Sequence, residues 1–410
     1  MTNFEQLLEK YAELAVRIGV NAQPGQTIVV QAPLAAAEFV RKVAVKAYEA
    51  GAKNVHVEYN DEKITRTKYE MAPDEAFLEY PMWRAQGFTE MAENGAAFLS
   101  VYSPNPELLK GIDPERIANF NKTAGTALAK YRGYMMADKA RWSLVSVPTA
   151  EWATKIFPGL EADEAIEKLW DAIFQIVRID KEDPIAAWKE HNEILQAKAV
   201  HLTEKQYTKL IYSAPGTNLE VELPAGHLWK GGGSIDQSGV AFNPNLPTEE
   251  VYTMPHKDGV NGTVSSTKPL NYGGNLIDNF TLTFKDGVVV EFTAEKGYET
   301  LEKLLGMDEG ARRLGEVALV PHRSPISDSG LIFYNTLFDE NASNHLALGE
   351  AYPVNLEGGT ELSPEDLAAR GANKSLVHED FMIGSAEMNI DGVTKDGQIE
   401  PIFRNGNWAF

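Results

Sequence analysis

Two short stretches of this chain bring histidine and carboxylates together. Asp339-Glu340-Asn341-Ala342-Ser343-Asn344-His345 sets two acids and one imidazole within seven residues. His378-Glu379-Asp380 lies between Val377 and Phe381, residue types that favour a strand, and on a strand His378 and Asp380 face the same side. Imidazole and carboxylate are the borderline ligands that hold Zn²⁺ or Co²⁺. A third candidate is Glu316, inside the apolar run Leu314 to Pro321. A carboxylate buried there is costly unless a cation compensates it, although the pattern also fits the solvent face of a strand. Glu249 and Glu250 follow Leu246-Pro247-Thr248 and read either as a solvated turn or as ligands. His256 and His322, each beside a proline, read as surface residues or outer supports of a site. The chain has no cysteine, so disulfides, thiolate zinc sites and cysteine nucleophiles are excluded together. Any metal must be held by His, Asp and Glu.

The elements that position these residues fall into two halves. At 410 residues the chain exceeds what one hydrophobic core supports, so two domains are expected, residues 1–205 and 206–410. In the first, Thr2 and Glu5 fit a capping box, followed by an apolar stripe of Leu7, Tyr11, Leu14 and Ile18. Thr27 to Gln31 reads as a strand, Ala35 to Ala50 as a helix closed by Gly51, and Asn54 to Tyr59 as a second strand. That order is a crossover unit and predicts a parallel sheet in an α/β domain. Further strands are expected at Ala97 to Tyr102 and Ser143 to Val147, with a long helix opened by Asp113-Pro114 between them. No glycine-rich phosphate loop follows the first strand, which disfavours nucleotide binding. Ala162 to Ala199 is helical throughout and bridges the halves.

After Tyr207 strands and turns take over, predicting a β-rich α+β domain. Leu219, Val221 and Leu223 alternate with Glu220 and Glu222, as in a half-buried antiparallel strand. Asp286-Gly287 between Phe284 and Val288 signals a hairpin, and Tyr298 to Leu305 and Pro364 to Arg370 read as short helices. A net charge of −21 argues against nucleic acid and anionic membranes, whose recognition needs clustered Lys and Arg. No apolar run approaches the roughly 18 residues of a membrane helix, and the N-terminus lacks a signal-peptide pattern, so a cytoplasmic location is expected.

The motifs Pro247-Thr248-Glu249-Glu250-Val251-Tyr252, Leu314-Gly315-Glu316, Asp339 to Gly349 and His378 to Gly384 resemble, in order and spacing, those of the aminopeptidase T and aminopeptidase S family of metallo-aminopeptidases. The resemblance spans essentially the whole chain. It implies an α/β N-terminal domain, a β-rich catalytic domain with two divalent ions (Zn²⁺ or Co²⁺ before Mg²⁺ or Mn²⁺), and a homodimer. It implies the metal ligands Glu250, Glu316, Glu340, His345, His378 and Asp380, with Tyr352 as a further active-site group. Glu316 is then the natural bridge between ions about 3.5–4 Å apart, and Glu340 is either a ligand or an anchor for the substrate ammonium. The implied reaction is release of the N-terminal residue from peptides by metal-activated water, with Tyr352 donating to the oxyanion. The general base stays open among Glu249, Glu350 and Glu379. Two rival readings are a dinuclear phosphoesterase and a non-catalytic, metal-stabilised peptide-binding protein with a closed coordination sphere.

Overall fold

The computed structural model describes residues 3–410, so the expected role of Thr2 in a capping box lies outside the described residues. Tertiary contacts divide the chain into two compact units. One holds Met1–Ile112, Ala127–Ile194 and Gly232–Thr248; the other holds Asp113–Thr126, Leu195–Gly231 and Glu249–Phe410.

In the first unit four parallel strands, β1 (Thr27–Pro33), β2 (Asn54–Asn60), β3 (Ala97–Val101) and β4 (Trp142–Val145), stand in the order β2-β1-β3-β4. The helix Ala37–Glu49 makes the expected crossover between β1 and β2 and buries Phe39, Val40, Val43 and Ala47. Gly51 follows it at φ +93°, a conformation that only glycine adopts without strain. The first helix, Asn3–Leu14, buries Leu8, Tyr11, Ala12 and Leu14, so Leu8 replaces the expected Leu7. A π-helical turn at Ala15–Gly19 then shifts the phase, which is why Val16 is buried and Ile18 only half-buried. The Tyr11 hydroxyl donates to the Ser146 carbonyl at 3.0 Å and accepts from the Ser146 amide at 3.1 Å, tying this helix to the end of β4. Just before β4, Arg141 is buried against Asp236 and donates to the Val20 carbonyl at 3.1 Å and to Gln26 Oε1 at 2.6 Å.

In the second unit a five-stranded sheet carries the chemistry. Its strands are β5 (Lys230–Gly231), β6 (Val251–Thr253), β7 (Leu314–Leu319), β8 (His345–Gly349) and β9 (His378–Met382), ordered β9-β8-β7-β6-β5 with every pairing antiparallel. A nine-stranded sheet lies against it. Asn275–Lys285 and Val288–Lys296 form its hairpin at Asp286-Gly287, where φ is +49° and +80°, as a type I′ turn requires. Leu219 and Val221 are buried and Glu220 and Glu222 exposed, the alternation the sequence predicts. Val317, Leu319, Leu346, Leu348 and Phe381 of the smaller sheet share one core with Tyr212, Val221, Phe280 and Leu282 of the larger, a sandwich packed on the inner faces. The helices Tyr298–Leu305 and Pro364–Ala369 complete the unit. Among the described residues no helix is long and apolar enough to cross a membrane.

Candidate metal centre

Strand register decides which side chains meet. Glu316 pairs with Ala347 and Ala347 with Asp380, forming one row across β7, β8 and β9. Opposed residues of an antiparallel pair share a face, and so do residues two apart on one strand. His345 and His378 therefore join Glu316 and Asp380 on the face away from the core. The positions between them are small: Ala318 opposite His345, Ala347 between the two acids, and Gly349 opposite His378. Glu316 reaches this face through an irregularity. The β7–β8 register shifts between Leu314 and Glu316, so Leu314 enters the core while Glu316, two residues on, turns to the other side. A Cβ on the intervening Gly315 would lie 2.2 Å from the Glu350 carbonyl oxygen, which excludes any side chain there.

The polar atoms converge. His345 Nε2 stands 3.1 Å from Glu250 Oε2, 3.6 Å from Glu316 Oε1 and 4.0 Å from Asp380 Oδ1. His378 Nε2 stands 3.9 Å from Glu316 Oε2 and 3.7 Å from Asp380 Oδ1. Glu316 thus directs one oxygen towards each imidazole. Two groups of potential ligands result, Glu250-Glu316-His345 and Glu316-His378-Asp380, each with its donor atoms within 4.8 Å of one another. Both rings are oriented from behind. His345 Nδ1 lies 2.9 Å from the Glu340 carbonyl and 3.2 Å from that of Ser343, and His378 Nδ1 lies 2.7 Å from the Glu350 carbonyl. Carbonyls only accept, so each Nδ1 carries the donated hydrogen, and Nε2 is the atom each ring turns towards the cluster, with a lone pair for a cation whenever the ring is neutral.

Charge in the cluster is unbalanced. Burial pushes the Glu316 carboxyl up to about 7, against a bond from His345 that works the other way. Glu340 is raised well above the usual carboxylate range by burial, reinforced by Asp380 and Glu250. For the histidines burial acts downward, yet Glu250 and Glu316 raise His345, and Asp380 and Glu316 raise His378. Asp380 Oδ1 is buried and has no hydrogen-bond partner among the described residues. Four acids around two imidazoles need positive charge, and the nitrogen and oxygen donors suit a divalent cation of the zinc class.

The remaining candidates divide by position. Glu340 belongs to neither triad but sits near their acids, with Oε1 accepting from Asn341 Nδ2 at 3.2 Å. Tyr352 lies over the site, its ring 4.8 Å from that of His378 and 6.0 Å from that of Tyr252. Burial raises its phenol well above the ordinary value, so the hydroxyl keeps its proton. Asp339 points elsewhere, accepting from the Phe333 amide at 2.9 Å and the Asn335 amide at 3.2 Å to pin the preceding loop. Glu379 pairs with the core residue Leu348 and so takes the opposite face from His378 and Asp380. Glu350 accepts from the Ser375 amide and is pushed up to about 7 by burial. The backbone amide of Glu249 donates to Asn341 Oδ1. His256 accepts from the Asp258 amide at a turn, and His322 donates its backbone amide to the Gly406 carbonyl; neither belongs to a triad.

The chain matches the thermophilic metalloprotease (M29) family over residues 4–408. It belongs to that family. Over 410 residues it is 66% identical to Aminopeptidase 2 of Geobacillus stearothermophilus, covering all of this chain and 99% of the other. It is 56% identical to Aminopeptidase AmpS of Bacillus subtilis, covering both chains in full. The solved structure of wild-type AmpT from Thermus thermophilus superimposes with a TM-score of 0.91 at 44% identity, covering 99% of this chain and all of that one. In this M29 metalloprotease the residue types of the centre stand out in the sequence, whereas the parts that orient them do not. The Glu350 carbonyl, the small residues between the ligands and the linking role of Asn341 carry no signal of their own. The glycine directly before Glu316 in an apolar strand was the one visible hint of the bulge.

Proposed function

We propose that the chain is a metal-dependent aminopeptidase that releases the N-terminal residue of peptides at a dinuclear centre. The observation that carries this is the pair of ligand triads sharing Glu316, whose two oxygens face different histidines. Glu250, Glu316 and His345 would hold one ion, and Glu316, His378 and Asp380 the other, with Zn²⁺ or Co²⁺ suiting the donors. Bound there, the ions supply Lewis acidity, polarising the scissile carbonyl and making a water nucleophilic near neutral pH. The chain's own groups do the rest. The Nδ1 anchors hold both rings in place, Glu340 offers negative charge to an ion or to the substrate's α-ammonium, and Tyr352 keeps a proton to donate to the developing oxyanion. All of these residues lie in the second compact unit, within Glu249–Phe410, which we read as the catalytic domain. We read the cysteine-free chain as a cytoplasmic protein and, as the family resemblance implies, a homodimer.

The decisive experiment compares peptides with free and N-acetylated termini. We expect amino acids to be released one at a time from the free peptides while the acetylated ones stay intact, because acetylation removes the amine's charge and lone pair. A site built around a polar group discriminates by orders of magnitude against an analogue lacking it. Equal cleavage of both, or internal cuts in a blocked peptide, would exclude an aminopeptidase. Two bound ions with no cleavage of either would point to a peptide-binding protein.

A further inference from the structure

We infer that Asn341 is a positioning residue that holds the two ligand-bearing segments of the metal centre in register. Its side chain is fully buried, with Oδ1 and both Nδ2 hydrogens engaged. Oδ1 accepts from the Glu249 backbone amide at 2.8 Å, across 92 residues of sequence. Nδ2 donates to the Leu337 carbonyl at 3.0 Å and to Glu340 Oε1 at 3.2 Å. One amide therefore grips the Thr248–Glu249 peptide unit, one residue before Glu250, and, on its other side, the carboxylate of Glu340. The same short segment returns through His345, whose Nδ1 is fastened to the Glu340 carbonyl. Glu250 lies just before β6 and His345, its fellow in one triad, on β8, and β7 separates those two strands in the sheet. The ladder itself does not reach the approach to β6, because Glu250 precedes the first paired residue, Val251. There His191 Nε2 lies 2.8 Å from the Thr248 carbonyl, and Asn341 fixes the next residue through the Glu249 amide.

An uncharged amide does both jobs, accepting on one side and donating on the other. Aspartate would set a carboxylate against Glu340, and an apolar residue would leave the buried Glu249 amide without an acceptor. Asn341 touches none of the triad donor atoms, so its effect passes through the residues it holds.

The inference rests on the dinuclear reading, and the experiment separates the two. The full-length wild type, Asn341→Ala and Asn341→Leu are stripped of metal, checked for native circular dichroism, and titrated with Zn²⁺ by calorimetry and with Co²⁺ by visible absorption. Leucine keeps the branched outline of the side chain and leaves no cavity, so it carries the test if the alanine variant does not fold. We expect the wild type to bind two ions. In the variants one binding step should weaken by about 10–100-fold, as when outer partners of metal ligands are removed, with an altered Co²⁺ spectrum. The other step, assigned to Glu316-His378-Asp380, should stay within about threefold of wild type, a margin well below that outer-partner effect. Two ions bound by a folded variant with unchanged affinities would overturn the role of Asn341, whatever its melting temperature. Fewer than two ions bound by the wild type would overturn the dinuclear reading instead.

Discussion

Glu316 is the residue on which the centre turns, because each of its oxygens faces a different histidine. Glu316→Gln keeps the shape but halves the ligand's capacity to bridge, so it should abolish peptide turnover and weaken retention of both ions in metal analysis. Full metal content with normal turnover would show that Glu316 does not bridge. His378→Ala removes a donor from one triad only and should cost one ion in preference to the other. Tyr352→Phe tests a different function. Its hydroxyl is not in either triad, so metal content should be unchanged while kcat falls about 10²–10³-fold, the usual effect of losing one oxyanion donor.

At the scale of elements, the bulge in β7 does the work that side-chain chemistry alone cannot. Gly315→Ala places a methyl group against the Glu350 carbonyl, and the strand must shift to relieve it. Overpacking of this kind costs about 1–3 kcal/mol, and any shift that restores regular pairing turns Glu316 towards the core. We expect both a lower denaturant midpoint and poorer metal retention; loss of stability with undiminished metal binding would argue that the bulge is dispensable for the site. The first unit offers a contrast. Burial works against the Asp236 carboxylate, but bonds from Ser238 and the Val240 amide, with the Arg141 charge beside it, hold it below the usual range. A carboxyl depressed by folding stabilises above its unfolded value and loses that contribution as pH falls through the folded one. Asp236→Asn should therefore destabilise the protein most near neutral pH, and the gap to wild type in urea unfolding should narrow below about pH 4. A gap independent of pH would assign the effect to packing.

For the whole molecule, metal and stability are linked. Ions that bind the folded chain and not the unfolded one stabilise it by mass action, by about 4 kcal/mol at a thousandfold excess over Kd. Chelation with EDTA should therefore lower the melting temperature as well as abolish activity, and added Zn²⁺ or Co²⁺ should restore both. Activity lost without any shift in melting would mean that the ions contribute to chemistry and not to the fold. The net charge of −21 acts at this scale too, favouring cations over anionic partners at long range.

Local chemistry made much of this protein legible. The crossover from Thr27 to Tyr59, the Asp286-Gly287 hairpin and the alternation around Leu219 depend on backbone preference and burial period, which neighbouring residues encode, and each is present. The absence of cysteine restricted any metal to His, Asp and Glu, and the four acid and histidine motifs marked the stretches that converge. Tertiary structure decided the rest, for reasons a single stretch does not contain. The phase of the first helix shifts at a π turn over Ala15–Gly19, which the period of the apolar residues does not announce. The sides taken by Glu316 and Glu379 follow from register against β8, a property of paired strands. Asn341 joins Glu249 to Glu340 only because residues 92 apart in sequence become neighbours in the folded chain.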